Sequence, residues 1–228
     1  MDTILSLDTS TKVCSVAIHN NGELIGQQSY HLQKSHSNLL PVIIRQLAEN
    51  CEMELRHLKA IALSAGPGSY TGLRIGTATA KGLAFSLNLP LIAIDSLDTM
   101  VEQVRGVVPD EAVLFPMIDA RRMEVYTKAV VAGGDVLWET QPLIVEEDSF
   151  KEFESSQMFF FGNGADKLKE MFSESSIRFV DDIHPCAAAM GKLAFEKFQN
   201  EEFEDLAYFE PDYLKEFRTN VPSQKFKV

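Results

Sequence analysis

Positive charge is scarce in this chain of 228 residues. It carries 21 lysines and arginines against 33 aspartates and glutamates, which gives a formal net charge of −12. Because a surface of that sign repels the phosphate backbone, we expect no autonomous binding of nucleic acid. If RNA is involved, a more basic partner should hold it.

Cysteine, histidine and long apolar runs are scarce as well. The three cysteines are scattered and odd in number, so they fit neither a metal-ligand spacing nor a disulfide framework. The five histidines are interpreted as capping or surface residues, and no metal site is predicted. No apolar run approaches the roughly 20 residues of a membrane span, and Asp2 stands where a signal peptide needs positive charge. We therefore expect a cytoplasmic protein with no membrane contact.

The stretch IALSAGPGSYTGLRIGTATAKGLAF, residues 61–85, is the most informative part of the chain. It predicts a buried strand, a tight turn at Gly66-Pro67-Gly68, and a helix capped by Ser69 or Thr71. A turn of this kind can present backbone N–H groups to an anion. The stretch nevertheless lacks the lysine of a P-loop and the GxGxxG spacing. A ligand site and a plain strand-to-helix connection both stay open.

Small residues line one face of the predicted helix. Gly72, Gly76, Ala80 and Ala84 follow one another at four-residue intervals, so another backbone can approach this face closely. The face either packs against the chain's own sheet or contacts a helix of another chain. The sequence makes these two alternatives about equally good.

One pattern occurs twice, about half a chain apart. An apolar strand ends in Asp8 and is followed by a polar bend, a strand, a glycine turn and a strand, and the same series restarts at Val113 and passes Asp119. We interpret this as a duplication that gives an α/β fold of two lobes with a cleft, each lobe of βββαβα type. The second half is predicted to have helices over Asp148–Glu154, after Gly164 and over Ala187–Phe198. We place the lobes at residues 1–106 and 107–228, and the tail after about 211 could pack back on the first lobe.

Four motifs carry a resemblance to a known family. DTST, SAGPGSYTGLRIG, DARRMEVY and PDYLKEF together resemble the bacterial TsaB family, in the glycoprotease-like branch of the actin/Hsp70/sugar-kinase (ASKHA) superfamily. The resemblance covers nearly the whole chain and implies an actin-like fold. It also implies a non-catalytic scaffold for threonylcarbamoylation of adenosine 37 in ANN-decoding tRNAs. The implied partners are the catalytic paralogue TsaD, in a heterodimer, and the ATPase TsaE. A homodimer is expected in isolation, and tRNA contact only through the complex.

The resemblance also implies which helices meet the partner. They match residues 36–51 and 70–87 here, and their apolar and small residues are the expected interface. Substituting Leu at Ala80 or Gly76 is expected to block the partner and leave the monomer folded. The expected interface residues are Leu39, Leu40, Ile43, Ile44, Leu47, Tyr70, Gly72, Leu73, Gly76, Thr77, Ala80, Lys81 and Ala84.

A nucleotide site is weighed against that interface. Asp8 and Asp119 end matching strands, but the glycine that follows the aspartate in kinases of the superfamily is missing. We interpret the site as vestigial and expect no cofactor for the isolated chain, with ATP or ADP and a metal only in the complex. The alternative is a nucleotide-dependent phosphotransferase or ATPase that uses both aspartates. The candidate residues are Asp8, Thr9, Ser10, Gly66, Gly68, Asp119, Gly162 and Gly164.

Two further chemistries receive little support. The paralogue's metal-binding HxxxH segment corresponds to residues 95–100 here, which contain no histidine, and Asp95 and Asp98 are interpreted as a solvated helix start. Ser10, Ser64 and Ser69 lack the GxSxG surroundings of a nucleophile elbow. A glycoprotease-like peptidase is therefore the least supported alternative, and no catalytic residue is predicted.

Overall fold

A computed structural model describes residues 2–31, 36–173 and 176–215 as two five-stranded mixed sheets with helices. The last residues of the PDYLKEF motif, 216 and 217, lie outside this description. The first sheet has the order β3-β2-β1-β4-β5, with β1 antiparallel to β2 and parallel to β4. Its strands are β1 Thr3–Asp8, β2 Val13–Asn20, β3 Glu23–His31, β4 Ala60–Gly66 and β5 Leu91–Asp95.

The second sheet repeats this arrangement. Its order β10-β9-β6-β7-β8 is that of the first sheet read from the other end, with a meander followed by parallel strands. The α/β class and the duplication predicted from the sequence are therefore confirmed. Its strands are β6 Val113–Asp119, β7 Glu124–Val131, β8 Val136–Ile144, β9 Met158–Phe161 and β10 Arg178–Val180.

Four α-helices occur in the described part of the chain: α1 His36–Asn50, α2 Tyr70–Leu87, α3 Ser96–Val104 and α4 Gly191–Gln199. Ser69 caps α2 as predicted, because its side chain accepts a hydrogen bond from the Gly72 N–H at 3.3 Å. Pro41 lies in the second turn of α1, so α1 lacks one backbone hydrogen bond. No helix in the described ranges is long and apolar enough to cross a membrane.

Two of the helices predicted in the second half are wrong, whereas the one predicted over Ala187–Phe198 is present as a 3₁₀ turn followed by α4. Residues Asp148–Glu154 contain only a 3₁₀ turn at Lys151–Phe153, and a second 3₁₀ turn at Asp166–Leu168 stands where the helix after Gly164 was expected. Phe150 and Phe153 are three residues apart, a spacing that suits a 3₁₀ turn. Both rings are buried in the hydrophobic core of the second sheet. The short strand β10 was also missed, because three residues are too few for a pattern to stand out.

Two helices cross between the sheets. Helix α3 follows the first sheet but packs on the second, where Leu97, Met100 and Val104 join Leu114 and Phe161 in one cluster. Helix α4 follows the second sheet but packs on the first, where Ala194 and Met190, the residue before the helix, cover strand residues including Ile4, Ile92 and Ile94. Part of each sheet is thus covered by a helix that follows the other sheet in the sequence. We keep the division at residue 106 as a proposal.

Candidate functional site

Helices α1 and α2 lie side by side on the first sheet and are called the helix pair below. Helix α1 contacts β2 and β3, helix α2 contacts β4, and the two helices touch each other. Most of their aliphatic residues point into the chain's own core. The expected interface residues that are buried in the monomer are Leu40, Ile43, Ile44, Leu47, Gly72, Leu73, Gly76, Thr77, Ala80 and Ala84.

The small-residue face of α2 receives the chain's own first bend, residues 9–12 between β1 and β2. A Cβ added at Gly72 would lie 2.0 Å from the backbone oxygen of Thr9, and one added at Gly76 would lie 2.3 Å from its Oγ1. The Thr9 hydroxyl also donates a 2.8 Å hydrogen bond to the Gly72 carbonyl. Of the two alternatives for this face, the contact with the chain's own sheet is therefore the correct one.

This placement corrects one expectation. Gly76 and Ala80 are buried inside the monomer, so a leucine at either position would displace the chain's own backbone or core before it met a partner. Substitutions there would disturb folding, contrary to what the sequence suggested. A test of partner binding needs residues on the opposite face of α2.

The opposite face of α2 presents an outward stripe formed by the exposed Thr71, Ala78, Gly82 and Phe85 together with Ile75, which is half-buried against the first core. These positions follow a spacing of four, three, four and three residues, which keeps them on one side of a helix. Phe85 is 80% exposed, and a Cβ added at Gly82 would have no atom within 4 Å. The spacing was present in the sequence but was overlooked beside the more regular glycine and alanine row.

The remaining members of the expected interface, Leu39, Tyr70 and Lys81, are partly exposed. On α1, Leu39 is half-buried, and the neighbouring Val42 is 38% exposed. On α2, Lys81 donates hydrogen bonds to the carbonyls of Ala207 and Phe209 at 3.2 and 3.1 Å, so it holds the C-terminal segment of the same chain. The Tyr70 ring packs against Tyr213, with their centroids 4.7 Å apart.

The C-terminal segment reaches from the first sheet to the second. The Asp212 N–H donates to the Ala65 carbonyl at 2.8 Å, at the end of β4. Three residues later, the Lys215 ammonium forms an ion pair with Glu124 and lies 5.6 Å from the centre of the Tyr126 ring, both on β7. Residues 211–215 thus bridge the two sheets beside the start of α2.

Asp8, the first candidate for a nucleotide site, is completely buried. Its Oδ1 accepts hydrogen bonds from the Ser10 N–H and hydroxyl, both at 3.0 Å, whereas Oδ2 has no hydrogen-bond partner among the described residues. Burial raises the pKa of the Asp8 carboxyl, and the Ser10 hydrogen bonds oppose that rise. The unpaired oxygen is closed to solvent, because Thr9 and Ser10 are buried with it.

The candidate glycines are also covered by the chain itself. A Cβ at Gly66 would lie 2.8 Å from the Asp212 oxygen, and one at Gly68 would lie 2.3 Å from the Ser10 oxygen. Gly162 and Gly164 pack against the end of β6, where an added Cβ would lie 2.3 Å from the Met117 oxygen and 2.9 Å from the Ile118 carbonyl carbon, respectively. Glycine is required at these four places by close packing of the chain, without any reference to phosphate.

Asp119 differs from Asp8 in being exposed. Its Oδ1 accepts a 2.5 Å hydrogen bond from Lys167 and one of 3.0 Å from the Arg121 N–H. Its own N–H donates to the side-chain oxygen of Asn163 at 3.0 Å. These contacts fix the second bend, residues 120–123 between β6 and β7. A vestigial nucleotide site at Asp8 and Asp119 stays a prediction.

The candidate nucleophiles all have other partners. The Ser64 and Ser96 hydroxyls lie 2.6 Å apart, Ser69 caps α2, and Ser10 binds Asp8. One serine–histidine contact was missed by sequence reasoning, between Ser6 Oγ and His19 Nδ1 at 3.2 Å. Both residues are at most 1% exposed, and burial lowers the pKa of His19, so this contact is closed to a substrate.

Asp95 is partly buried and bound by neighbouring groups, contrary to the sequence interpretation of a solvated helix start. Its carboxylate accepts hydrogen bonds from the Leu97 N–H at 2.7 Å and from the Thr140 hydroxyl, on β8 of the second sheet, at 2.6 Å. Burial and the neighbouring Asp98 raise the pKa of Asp95 to about 6. Asp98 in turn pairs with Lys128, on β7, at 2.6 Å. The two acids therefore join the sheets, and no group of three metal-binding side chains occurs within the described ranges.

The amino-acid sequence matches a known family and several curated proteins. The family model described as TsaD, tRNA N6-adenosine threonylcarbamoyltransferase, matches residues 30–223. The tRNA threonylcarbamoyladenosine biosynthesis protein TsaB of Haemophilus influenzae is 30% identical over 93% of both chains. The protein of the same name in Bacillus subtilis is 29% identical over 93% of this chain and 94% of its own length.

Solved structures agree with the fold. A Pseudomonas aeruginosa protein described as similar to the peptidase YeaZ is 25% identical and superposes with a TM-score of 0.79, covering 94% of this chain and 100% of its own. An inorganic polyphosphate/ATP-glucomannokinase from Arthrobacter shares the fold at a TM-score of 0.50 and 9% identity, covering 88% of this chain and all of its own. The architecture is therefore the two-lobed actin-like fold expected from the sequence.

Proposed function

Because this chain belongs to the TsaD family of tRNA N6-adenosine threonylcarbamoyltransferases and, within it, to the TsaB type, we propose that it is a non-catalytic subunit that pairs with TsaD. Its role lies in the biosynthesis of tRNA threonylcarbamoyladenosine, the process for which its relatives are named. The pairing, the support of TsaE binding and the absence of catalysis by the chain itself are the parts that we propose.

The observation that carries the proposal is the outward stripe of α2. Ala78 and Gly82 are small and exposed, and Phe85 extends an aromatic ring into solvent one turn further on. Small residues let a second helix approach closely, and an exposed aromatic ring supplies apolar contact area. Together with α1, the stripe offers two adjacent helices on which two helices of a paralogue can pack.

The candidate nucleotide residues support a non-catalytic role. The carboxylate of Asp8 is enclosed, and the glycines that would admit a phosphate are filled by the chain's own backbone. A phosphotransferase needs a carboxylate that can reach a hydrated metal ion and a backbone that phosphate can approach. We therefore place any ATP or ADP of the complex outside this chain's own Asp8 site.

The test compares two glycines whose Cβ positions are both free of neighbours. Gly82 lies in the outward stripe and Gly106 in the 3₁₀ turn Arg105–Val107 after α3. We expect Gly82→Arg to weaken the heterodimer with TsaD at least tenfold, because a long charged side chain would stand in the helix contact, and Gly106→Arg to leave it unchanged. Size-exclusion chromatography with light scattering measures the assembly, and circular dichroism checks that both variants fold.

Three results would count against the proposal. A wild-type chain that does not associate with TsaD would remove the subunit role, and ATP turnover by the isolated chain would restore the phosphotransferase alternative. A Gly82→Arg chain that assembles normally would move the contact away from α2. TsaE is added in a second step, and we expect it to bind the heterodimer better than either subunit alone.

A further inference from the structure

The duplicated fold offers two equivalent bends with opposite surroundings. Each bend has four residues and follows a strand that ends in aspartate: residues 9–12 follow Asp8, and residues 120–123 follow Asp119. In the first bend, Thr9 and Ser10 are buried under α2. In the second, a 3₁₀ turn stands in the place of α2. The second bend is therefore left open to solvent.

The open bend carries two adjacent arginines. Arg121 and Arg122 are both exposed, and both adopt left-handed backbone conformations, with φ of 73° and 51°. Consecutive non-glycine residues in this region are uncommon. Backbone hydrogen bonds from Ala120 to the Glu124 carbonyl and from Glu124 to the Arg121 carbonyl hold the conformation. The position of the two arginine backbones is therefore fixed before any partner arrives.

The carboxylates beside this bend are already neutralised. Lys167 pairs with Asp119 at 2.5 Å, and Lys215 pairs with Glu124. Within the part of the chain that the structure describes, neither Arg121 nor Arg122 forms an ion pair. The two ion pairs cancel each other's charges, so the second bend is left with the two positive charges of its arginines. The chain as a whole has a net charge of −12.

A local excess of this kind is best matched by a polyanion. Guanidinium groups bind phosphate through paired hydrogen bonds, and such contacts position a nucleic acid without reading its sequence. The bend projects into solvent and the arginines are exposed, which suits an extended phosphodiester backbone better than a small enclosed ligand. We propose that Arg121 and Arg122 contact the phosphate backbone of the tRNA when the chain is assembled with TsaD.

This inference rests on the proposed function, and it adds a direct contact where the sequence suggested only an indirect one. The overall negative charge still prevents the isolated chain from holding RNA. The arginines therefore act as an auxiliary contact, and most of the affinity comes from the rest of the complex.

Salt dependence provides the test. Binding of the tRNA to the purified heterodimer is measured by fluorescence anisotropy over a range of KCl concentrations. We expect Arg121→Gln with Arg122→Gln to weaken binding about tenfold at physiological salt. The slope of log K against log [KCl] should fall by about 1.4 to 1.8, since each phosphate contact contributes about 0.7 to 0.9. The pair Arg121→Lys with Arg122→Lys should keep most of that slope.

The matched control removes two other exposed cations, with Arg56→Gln and Lys151→Gln, and should leave both affinity and slope unchanged. An unchanged slope in the arginine double variant, with its heterodimer intact, would overturn this inference alone. A heterodimer weakened by the same substitutions would overturn it too, because the arginines would then contact the protein partner. If the unaltered chain fails to pair with TsaD, chromatography shows it before tRNA is added, and the proposed function falls together with this inference.

Discussion

The two sheets share one strand order and differ in what covers them. The first sheet is covered by α1 and α2, helices of 15 and 18 residues, and the core beneath them is aliphatic. The corresponding segments of the second sheet form 3₁₀ turns of three residues, and its core is filled by aromatic rings. The difference teaches that a duplicated scaffold can divide its tasks. Only the first copy has long helices, on which we propose that the partner packs, and only the second leaves its bend exposed.

The largest loss of stability is expected from a substitution in the aromatic core of the second sheet. Phe160 is fully buried, with ring centroids 5.1 Å from Phe115 and 4.6 Å from Phe150. We expect Phe160→Ala to lower the free energy of unfolding by about 3 to 5 kcal/mol, because it leaves a cavity among rings that cannot collapse. Urea unfolding followed by circular dichroism measures the change.

Phe85 on α2 is the matched control, since it is the same residue type but 80% exposed. Phe85→Ala should change the free energy of unfolding by no more than about 0.5 kcal/mol while weakening the heterodimer. Equal losses of stability in the two variants would contradict the division of tasks between the sheets.

The junction between the sheets provides a pH-dependent test. Because the pKa of Asp95 is raised to about 6 in the folded chain from an ordinary value of 3.8, the unfolded chain loses this proton first. The protonated Asp95 carboxyl therefore stabilises the fold fully below about pH 4, and this contribution is lost as the pH rises through about 6. The free energy of unfolding should fall by about 2 to 3 kcal/mol over that range. Asp95→Asn keeps an oxygen for the Leu97 N–H and should remove this fall. Urea midpoints measured from pH 4 to 7 provide the readout.

The exposed Asp110 supplies the control for this titration. Asp110→Asn should leave the pH profile of the wild-type chain unchanged. A profile that keeps its fall in the Asp95→Asn variant would show that another group at the junction is responsible.

The smallest expected effect distinguishes the two faces of α2. Gly72→Ala should lower the free energy of unfolding by about 1 to 3 kcal/mol, because the new Cβ would meet the Thr9 oxygen at 2.0 Å. Gly82→Ala should raise it by about 0.5 to 1 kcal/mol, because alanine favours a helix and has open space there. Thermal and urea unfolding of the two variants measure these opposite signs. A gain in stability for Gly72→Ala would mean that the small-residue face is not packed as described.

Much of the fold could be predicted from the sequence. Apolar runs ending in Asp8 and Asp119 revealed the duplication, and the capped start of α2 fixed the helix after Gly68. The helix predicted over Asp148–Glu154 is wrong because a short segment with two phenylalanines three residues apart fits more than one kind of turn. Periodicity alone could not distinguish an α-helix from a 3₁₀ turn anchored by two rings.

The candidate site was harder to predict than the fold. The pattern of Gly72, Gly76, Ala80 and Ala84 correctly indicates a close approach, but a pattern does not say which neighbour approaches. The neighbour is Thr9, about 60 residues earlier in the chain. The burial of Asp95 has the same origin, because its partner Thr140 comes from the other sheet. Contacts between distant parts of the chain decide both cases.

Helix α4 also constrains the order in which the molecule can be completed. It covers one face of the first sheet, and its residues 191–199 leave the ribosome about 95 residues after the last strand of that sheet. During synthesis, the apolar face formed by Ile4, Ile92 and Ile94 therefore stays uncovered while the whole second sheet is being made. The first sheet is synthesised first, but its core is completed last. We therefore expect chaperones to bind a nascent chain that is stalled before residue 190.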